Sequence, residues 1–376
     1  MMHRATVFRV AGHQRSPVRG GRLRFFRPCA RRREGLGEAL RSTFDNTIVR
    51  TVVVILVVAA IGIGGASYAG GDTTGTSIAL STLTNLPQPV VILLVGLVVA
   101  WLLFTGSYKR VERVFAVLVA IMGAVFVLTA IVSRPDLGQV FSGIFPPTIP
   151  DGALLVTIAL IGTTVVPYNL FLHASLVQEK WPRTDTAVAL SESRRDTAIS
   201  ISIGGIITIA IMTTAAATLF VRGVEATTID ALASQLEPVL GPAADYVFAL
   251  GLFSAGLTSA IAGPLGAAYA ISSTMGWSTE LRDTKFRIIW ATILVLGVII
   301  ALTGTNPIAV IVFAQATNGI LLPIIAAFLL VVMNRPGFLG KYRNGPLANT
   351  LGGIVLVTVT GLAVYQLADV FGLLPA

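Results

Sequence analysis

Nine apolar runs follow one another along this chain, most of them close to 20 residues long. About that length suffices for a helix to cross the hydrocarbon core of a bilayer. They lie near Val52–Leu83 (long and interrupted), Val90–Thr105, Val114–Val132, Leu154–Leu176, Ala198–Val221, Ala243–Met275, Ile288–Thr303, Ile308–Met333 and Leu347–Leu367. Charged residues make up 12% of the 376, where soluble domains carry roughly 25%. The chain is predicted to be an all-α polytopic integral membrane protein with about nine transmembrane helices. Nothing in it reads as a separate soluble domain.

The charges between the runs orient them. The loops before the first run and after the second, fourth, sixth and eighth carry Arg41, Arg50, Lys109, Arg110, Arg113, Lys180, Arg183, Arg194, Arg195, Arg282, Lys285, Arg287, Arg335, Lys341 and Arg343. The opposite loops carry Arg134 and Arg222 beside Asp136, Asp151, Glu225, Asp230 and Glu237. The positive-inside rule then places the N-terminus in the cytoplasm and the C-terminus outside, in a multi-pass protein of the cell membrane. Trp101, Trp181, Trp277 and Trp290 fall near the ends predicted to be cytoplasmic, as an aromatic belt does.

The net charge of +9 is concentrated at one end. Met1–Arg33 holds ten arginines and no acid, whereas the rest of the chain sets 17 Lys and Arg against 18 Asp and Glu. Residues 1–37 are predicted to be a basic, disordered segment and 38–376 the transmembrane domain. Three descriptions fit such a segment: an arm for nucleic acid or anionic lipid, an organellar transit peptide, or a misplaced start in a GC-rich gene. The misplaced start is the favoured expectation, and no nucleic-acid partner is expected.

Polar residues inside the runs locate the candidate site. In the fourth run, the stretch Gly162-Thr163-Thr164-Val165-Val166-Pro167-Tyr168-Asn169-Leu170-Phe171-Leu172-His173-Ala174-Ser175 sets a proline, two threonines, an asparagine and a histidine at mid-depth. Pro167 frees backbone carbonyls from Thr163 to Val166, which could coordinate a cation as discontinuous helices of transporters do. A plain proline kink with threonine hydroxyls bonded back to carbonyls is the competing reading. His173 lies four residues past Asn169 on the same face, placed either to relay protons or as a neutral imidazole bonded within the bundle.

Asp72 is the acid deep in an apolar run, within Gly64-Gly65-Ala66-Ser67-Tyr68-Ala69-Gly70-Gly71-Asp72-Thr73-Thr74-Gly75-Thr76-Ser77. Intramembrane acids mark ion or proton paths. The alternative is that the first run ends near Ala69 and Asp72 sits in a loop. In the eighth run Gln315 and Asn318 share a helical face, and Pro323 beyond them is a second candidate break. Ser254, Gly256, Thr258, Ser259 and Gly263 read as close helix packing. One cysteine, Cys29, and three scattered histidines (His3, His13, His173) leave any metal site to rest mostly on oxygen ligands. There is no Gly-rich loop followed by Lys-Ser/Thr, no HExxH pattern and no catalytic triad, so neither ATP use nor enzyme activity is expected.

These residues resemble the NRAMP family of divalent metal ion transporters, from about Glu38 onward. The Gly162–Ser175 stretch resembles the family's sixth-helix pattern Gly-Ala-Thr-x-Met-Pro-His-Asn-x-Tyr-Leu-His-Ser, with support from Ser254-Ala255-Gly256-Leu257-Thr258-Ser259 and Ala314-Gln315. The departures are specific. Val166 stands where the family has a metal-binding methionine, and Tyr168 where it has a histidine, while the second histidine is kept as His173. Asp72 falls where the family has a proton-pathway glutamate, and Ala69 on its nearby aspartate. The Asp-Pro-Gly-Asn break of the family's first helix has no counterpart here. The resemblance therefore implies a LeuT-type inverted-repeat fold lacking the first two helices, in a truncated or mis-started reading.

By that resemblance the chain is a divalent cation transporter (Mn, Mg or Fe type) in proton-coupled symport by alternating access. Thr163, Val166, Tyr168, Asn169, Gln315 and Asn318 would bind the metal, and Asp72 with His173 would carry protons. The transported cation takes the place of a cofactor. Loss of the methionine sulfur shifts the expectation toward harder ions. Three other readings stand beside it: a LeuT-fold carrier of a small organic solute bound by Thr164, Tyr168 and Asn169, a non-transporting fragment, and a nucleic-acid- or lipid-binding protein acting through its basic arm.

Overall fold

The computed structural model describes residues 46–106, 108–135, 152–164, 168–171, 186–226, 228–303, 307–334 and 343–370, with Gly37, Arg41, Gly138, Ser142, Ile149, Val166 and His173 besides. The segment expected to be disordered lies outside the described residues, Gly37 apart. So do Pro167, Lys180, Arg183, Arg335 and Lys341.

Among the described residues nine stretches are helical, long and apolar enough to cross a membrane. They are α1 (Thr47–Thr84), α2 (Gln88–Thr105), α3 (Tyr108–Val132), α4 (Leu154–Thr164, continued beyond a break by 168–171), α5 (Thr186–Ala215), α6 (Ala244–Met275), α7 (Thr284–Thr303), α8 (Pro307–Met333) and α9 (Pro346–Val370). Each coincides with one of the nine apolar runs. A π-helical turn, Ala216–Phe220, extends α5, and two short helices, Ile229–Ser234 and Glu237–Leu240, precede α6.

Three local points are decided by the structure, two against an alternative reading and one against a predicted boundary. First, α1 does not end near Ala69: it runs unbroken through the glycine-rich stretch, so Asp72 is a helical residue and not a loop residue. Second, α8 does not break at Pro323, which lies inside the helix. Both have one cause. In hydrocarbon no water rescues freed N–H and C=O groups, so interrupting a helix costs several hydrogen bonds where a glycine or proline within it costs far less. Third, α5 starts at Thr186, twelve residues before the apolar run, and Arg194 and Arg195 belong to its helix and not to a loop.

Caps set the ends of α1. Asn46 Oδ1 accepts from the N–H groups of Ile48 (2.8 Å) and Val49 (3.3 Å). At the other end Asn85 takes the left-handed conformation (φ 58°) and its N–H donates to the Ser81 carbonyl at 2.7 Å. The 38 residues between them span about 57 Å, well beyond the roughly 30 Å hydrocarbon core.

α1 is the central post. It packs against α2, α6, α7 and α8, while α8 also joins α4 and α9, and α3 joins α6 and α5. Between Gly64 and Ser77 almost every α1 residue is buried, on all sides of the helix. The small residues make that burial feasible. A Cβ added at Gly297 of α7 would lie 2.6 Å from Ala69 Cβ and 3.0 Å from Gly70 N, so the two backbones are nearly in contact. Large apolar side chains such as Leu97, Trp101, Phe104, Ile201, Leu347 and Val357 cover the outside, where lipid tails are their natural solvent.

Candidate functional site

Helical periodicity makes a stripe on α1. Gly64, Tyr68, Gly71 and Gly75 recur at intervals of four, three and four residues, so they line one face. α8 lies along it in the opposite direction. A Cβ at Gly64 would meet Asn318 Oδ1 at 2.6 Å, one at Gly71 would meet Ala314 Cβ at 3.1 Å, and one at Gly75 would meet Ile311 at 3.7 Å. α6 covers the neighbouring face, where Gly256 abuts Thr76 and Gly263 abuts Asp72.

Asp72 and the broken segment meet at Gly263. A Cβ there would lie 3.3 Å from Tyr168 Oη and 4.0 Å from Asp72 Oδ2. The absence of a side chain at residue 263 thus leaves the space that the phenol and the carboxylate share. Tyr68 braces Tyr168 edge-on, with ring centroids 5.9 Å apart. Val166, Tyr168 and Phe171 are all buried against α1, α6 and α8, and Phe171 stacks on Phe328 at 6.3 Å. The segment after the break is therefore anchored by its own side chains. The N–H of Asn169 donates to the Val166 carbonyl at 3.1 Å, closing the turn that restarts the helix.

The second wall is α8. The carbonyl of Gln315 presses against Gly162 of α4, while Gln315 Nε2 lies 3.9 Å from the Cβ position of Gly71. Gln315 thereby touches α1 with its side chain and α4 with its backbone. Asn318, one turn on, is fully buried.

Several buried polar atoms without partners lie here. Among the described residues Asp72 Oδ2, Gln315 Oε1, and both Oδ1 and Nδ2 of Asn318 are buried and accept or donate no hydrogen bond. Buried polar groups are normally satisfied, and leaving one unmade costs about 1–3 kcal/mol. Gln315 and Asn318 lie along the α1–α8 contact and Asp72 at the neighbouring α1–α6 contact, so the three are placed to meet a ligand that brings its own charge or water. Among the described residues no three His, Cys, Asp or Glu side chains come together, so the oxygen donors on offer are amides, one carboxylate, hydroxyls and backbone carbonyls.

The sequence-derived residues divide. Val166, Tyr168 and Asn318 are buried, and Asp72, Asn169 and Gln315 are half-buried, where α1, α6, α8 and the broken segment pack together. Thr163 and His173 have exposed side chains. His173 turns toward α5, with Nε2 3.5 Å from Thr197 Oγ1. The Thr164 side chain lies outside the described residues. Ser254 and Thr258 hydroxyls bond back to Leu250, Ser254 and Ala255 carbonyls, in keeping with a packing role. Tyr68 was not singled out from the sequence. An aromatic residue inside an apolar run carries no signal by itself, but its place on the glycine stripe, four residues before Asp72, does.

The comparisons with known proteins agree with this architecture. The description "Natural resistance-associated macrophage protein-like" (Nramp) matches residues 30–369. The divalent metal cation transporter MntH of Pectobacterium carotovorum subsp. carotovorum (strain PC1) is 28% identical over 263 residues, 69% of this chain and 62% of that protein. MntH of Deinococcus radiodurans is 27% identical over 313 residues, 79% of this chain and 69% of that protein. The match thus spans less than two thirds of the first of these relatives. A solved manganese transporter of Eremococcus coleocola superposes with a TM-score of 0.71 at 19% identity, covering 91% of this chain and 76% of that one. The LeuT-type fold expected from the sequence is the fold these transporters share. With the family description covering nearly its whole length, this chain belongs to the Nramp family.

Proposed function

We propose that the chain is a divalent metal cation transporter, working in proton-coupled symport by alternating access around the groove between the broken α4 segment and Gln315. The observation that carries this reading is the convergence of unpartnered buried polar groups, Asp72 Oδ2, Gln315 Oε1 and the Asn318 amide, beside a helix interruption. A divalent cation with part of its hydration shell supplies the partners they lack. The relatives' names supply the substrate class.

In this mechanism Gln315 and Asn318 offer amide oxygens and the freed carbonyls near Thr163 offer backbone oxygens. Asn169 and Tyr168 position the segment, and Val166 replaces any soft ligand with an apolar wall. Oxygen ligands of this kind suit Mn or Mg. Asp72 carries the coupled proton, because an intramembrane carboxylate is tolerated where it serves an ion or proton path. His173, toward α5, would pass protons to solvent. The basic starts of α3 and α7 would face the cytoplasm of a plasma-membrane protein, with the segment before α1 inside and the end of α9 outside. No ATP, nucleic acid or cofactor enters the scheme.

The test is manganese uptake into proteoliposomes with and without an inward proton gradient. Wild type should be stimulated by the gradient. Asp72→Asn, which keeps the shape, should lose the stimulation and retain gradient-independent uptake. Equal stimulation of both proteins would remove Asp72 from the proton path, and no uptake by wild type would refute the transport reading. The Tyr68–Tyr168 aromatic pair favours one second reading, a carrier of a small organic solute; transport of such a solute unaffected by excess manganese would favour it.

A further inference from the structure

At one end of the bundle, where α2 ends and α7 begins, cations are held over aromatic rings that face outward. The Arg287 guanidinium lies 4.5 Å from the centre of the Phe104 ring, and Arg287 Nε donates to the Leu281 carbonyl at 3.1 Å. Lys285 Nζ lies 4.9 Å over the Trp277 ring. Phe104 and its neighbour Trp101 are 61% and 62% exposed. Arg282 is exposed one residue after Leu281, and Arg113 is exposed on the first turns of α3, across the short turn from Phe104. Three acids share this end, one of them Glu112, which precedes Arg113 on α3. Asp283 is engaged as the cap of α7, its Oδ1 accepting from the N–H groups of Lys285 (2.9 Å) and Phe286 (3.3 Å), and Glu280 is exposed.

We infer that this patch binds the headgroup of an anionic phospholipid. Three features combine. The rings of Trp101 and Phe104 and the exposed Ile288 supply a surface for acyl chains at the membrane boundary. Arg287, pinned by the ring below it and the carbonyl beside it, is pre-oriented, so little side-chain freedom is lost on binding a phosphodiester. Arg282 and Lys285 flank it, and the excess of cations over acids complements a negative headgroup. A free phosphate would meet the cations but gain nothing from the rings, so the lipid is the occupant. This reading is independent of what the central groove transports.

Native mass spectrometry of the full-length protein, purified in detergent with equal amounts of phosphatidylglycerol and phosphatidylcholine, tests it. Each basic residue near an anionic lipid surface is worth roughly fivefold. Wild type should retain phosphatidylglycerol over phosphatidylcholine by that factor or more, and Arg287→Gln with Lys285→Gln should reduce the preference by at least roughly fivefold. Should that double variant not fold, Phe104→Leu keeps the apolar surface but removes the ring that orients Arg287, and should also weaken the preference. Equal retention of the two lipids by wild type, or an unchanged preference in the folded variant, overturns the inference. Displacement of the lipid by millimolar inorganic phosphate would overturn it too.

Discussion

Asn318→Leu separates a ligand from a structural amide. The two side chains are nearly isosteric, so the substitution removes polarity with little change of shape. Asn318 is fully buried, and neither end of its amide has a partner among the described residues. Each unmade hydrogen bond at a buried atom costs about 1–3 kcal/mol, and exchanging such a group for an apolar one of the same shape is neutral or stabilising. With two unmade ends, a net gain of about 2 kcal/mol is a conservative expectation. A gain of that size would raise the melting temperature by roughly 4 °C, from about 2 °C per kcal/mol in large domains. Fluorescence-detected melting in detergent, without metal, would read it. The same variant should lose most manganese uptake, because the oxygen that completes the cation's shell is gone. Higher stability with lost transport identifies a group kept for function at a cost to the fold. A lower melting temperature with transport intact would refute the reasoning, since the amide would then have a structural partner and no ligand role.

Other outcomes follow from the same geometry. Gly297→Ala drives a methyl group to 2.6 Å from Ala69 Cβ, against backbone that cannot yield like a side chain, and should cost about 1–3 kcal/mol in thermal stability. Gly204→Ala, where nothing lies within 4 Å, should be neutral or slightly stabilising in the same assay, and equal effects of the two would refute the close α1–α7 packing. Val166→Met would place a thioether in the buried wall beside the helix break; it should shift competition in uptake assays toward cadmium over magnesium, and an unchanged order would show that residue 166 does not meet the cation.

The membrane architecture was legible in the sequence because transfer from water into hydrocarbon is decided residue by residue, with little dependence on neighbours in space. Among the described residues, each of the nine apolar runs therefore became helical. The break near Pro167 was legible for a related reason, since proline and clustered polar residues at mid-depth have few places to go. The continuity of α1 through six glycines and of α8 through Pro323 was not legible. Propensities measured in water count a glycine or proline as a stop, whereas in lipid the penalty for unpaired backbone reverses that preference.

The candidate residues were named by their chemistry, but their grouping was not. Sequence alone could set Asp72, Tyr168, Gln315 and Asn318 on three different helices; it could not bring them to one region of packing around α1. That convergence depends on glycines at residues 64, 71 and 263, which let α8 and the Tyr168 phenol approach α1. It equally turned His173 away toward α5 and left Thr163 exposed. Hydrophobicity and backbone hydrogen bonding act locally, so the sequence by itself determined the spans and the family. Close packing acts between segments distant in the chain, so only the tertiary structure decided which polar atoms are buried together without partners.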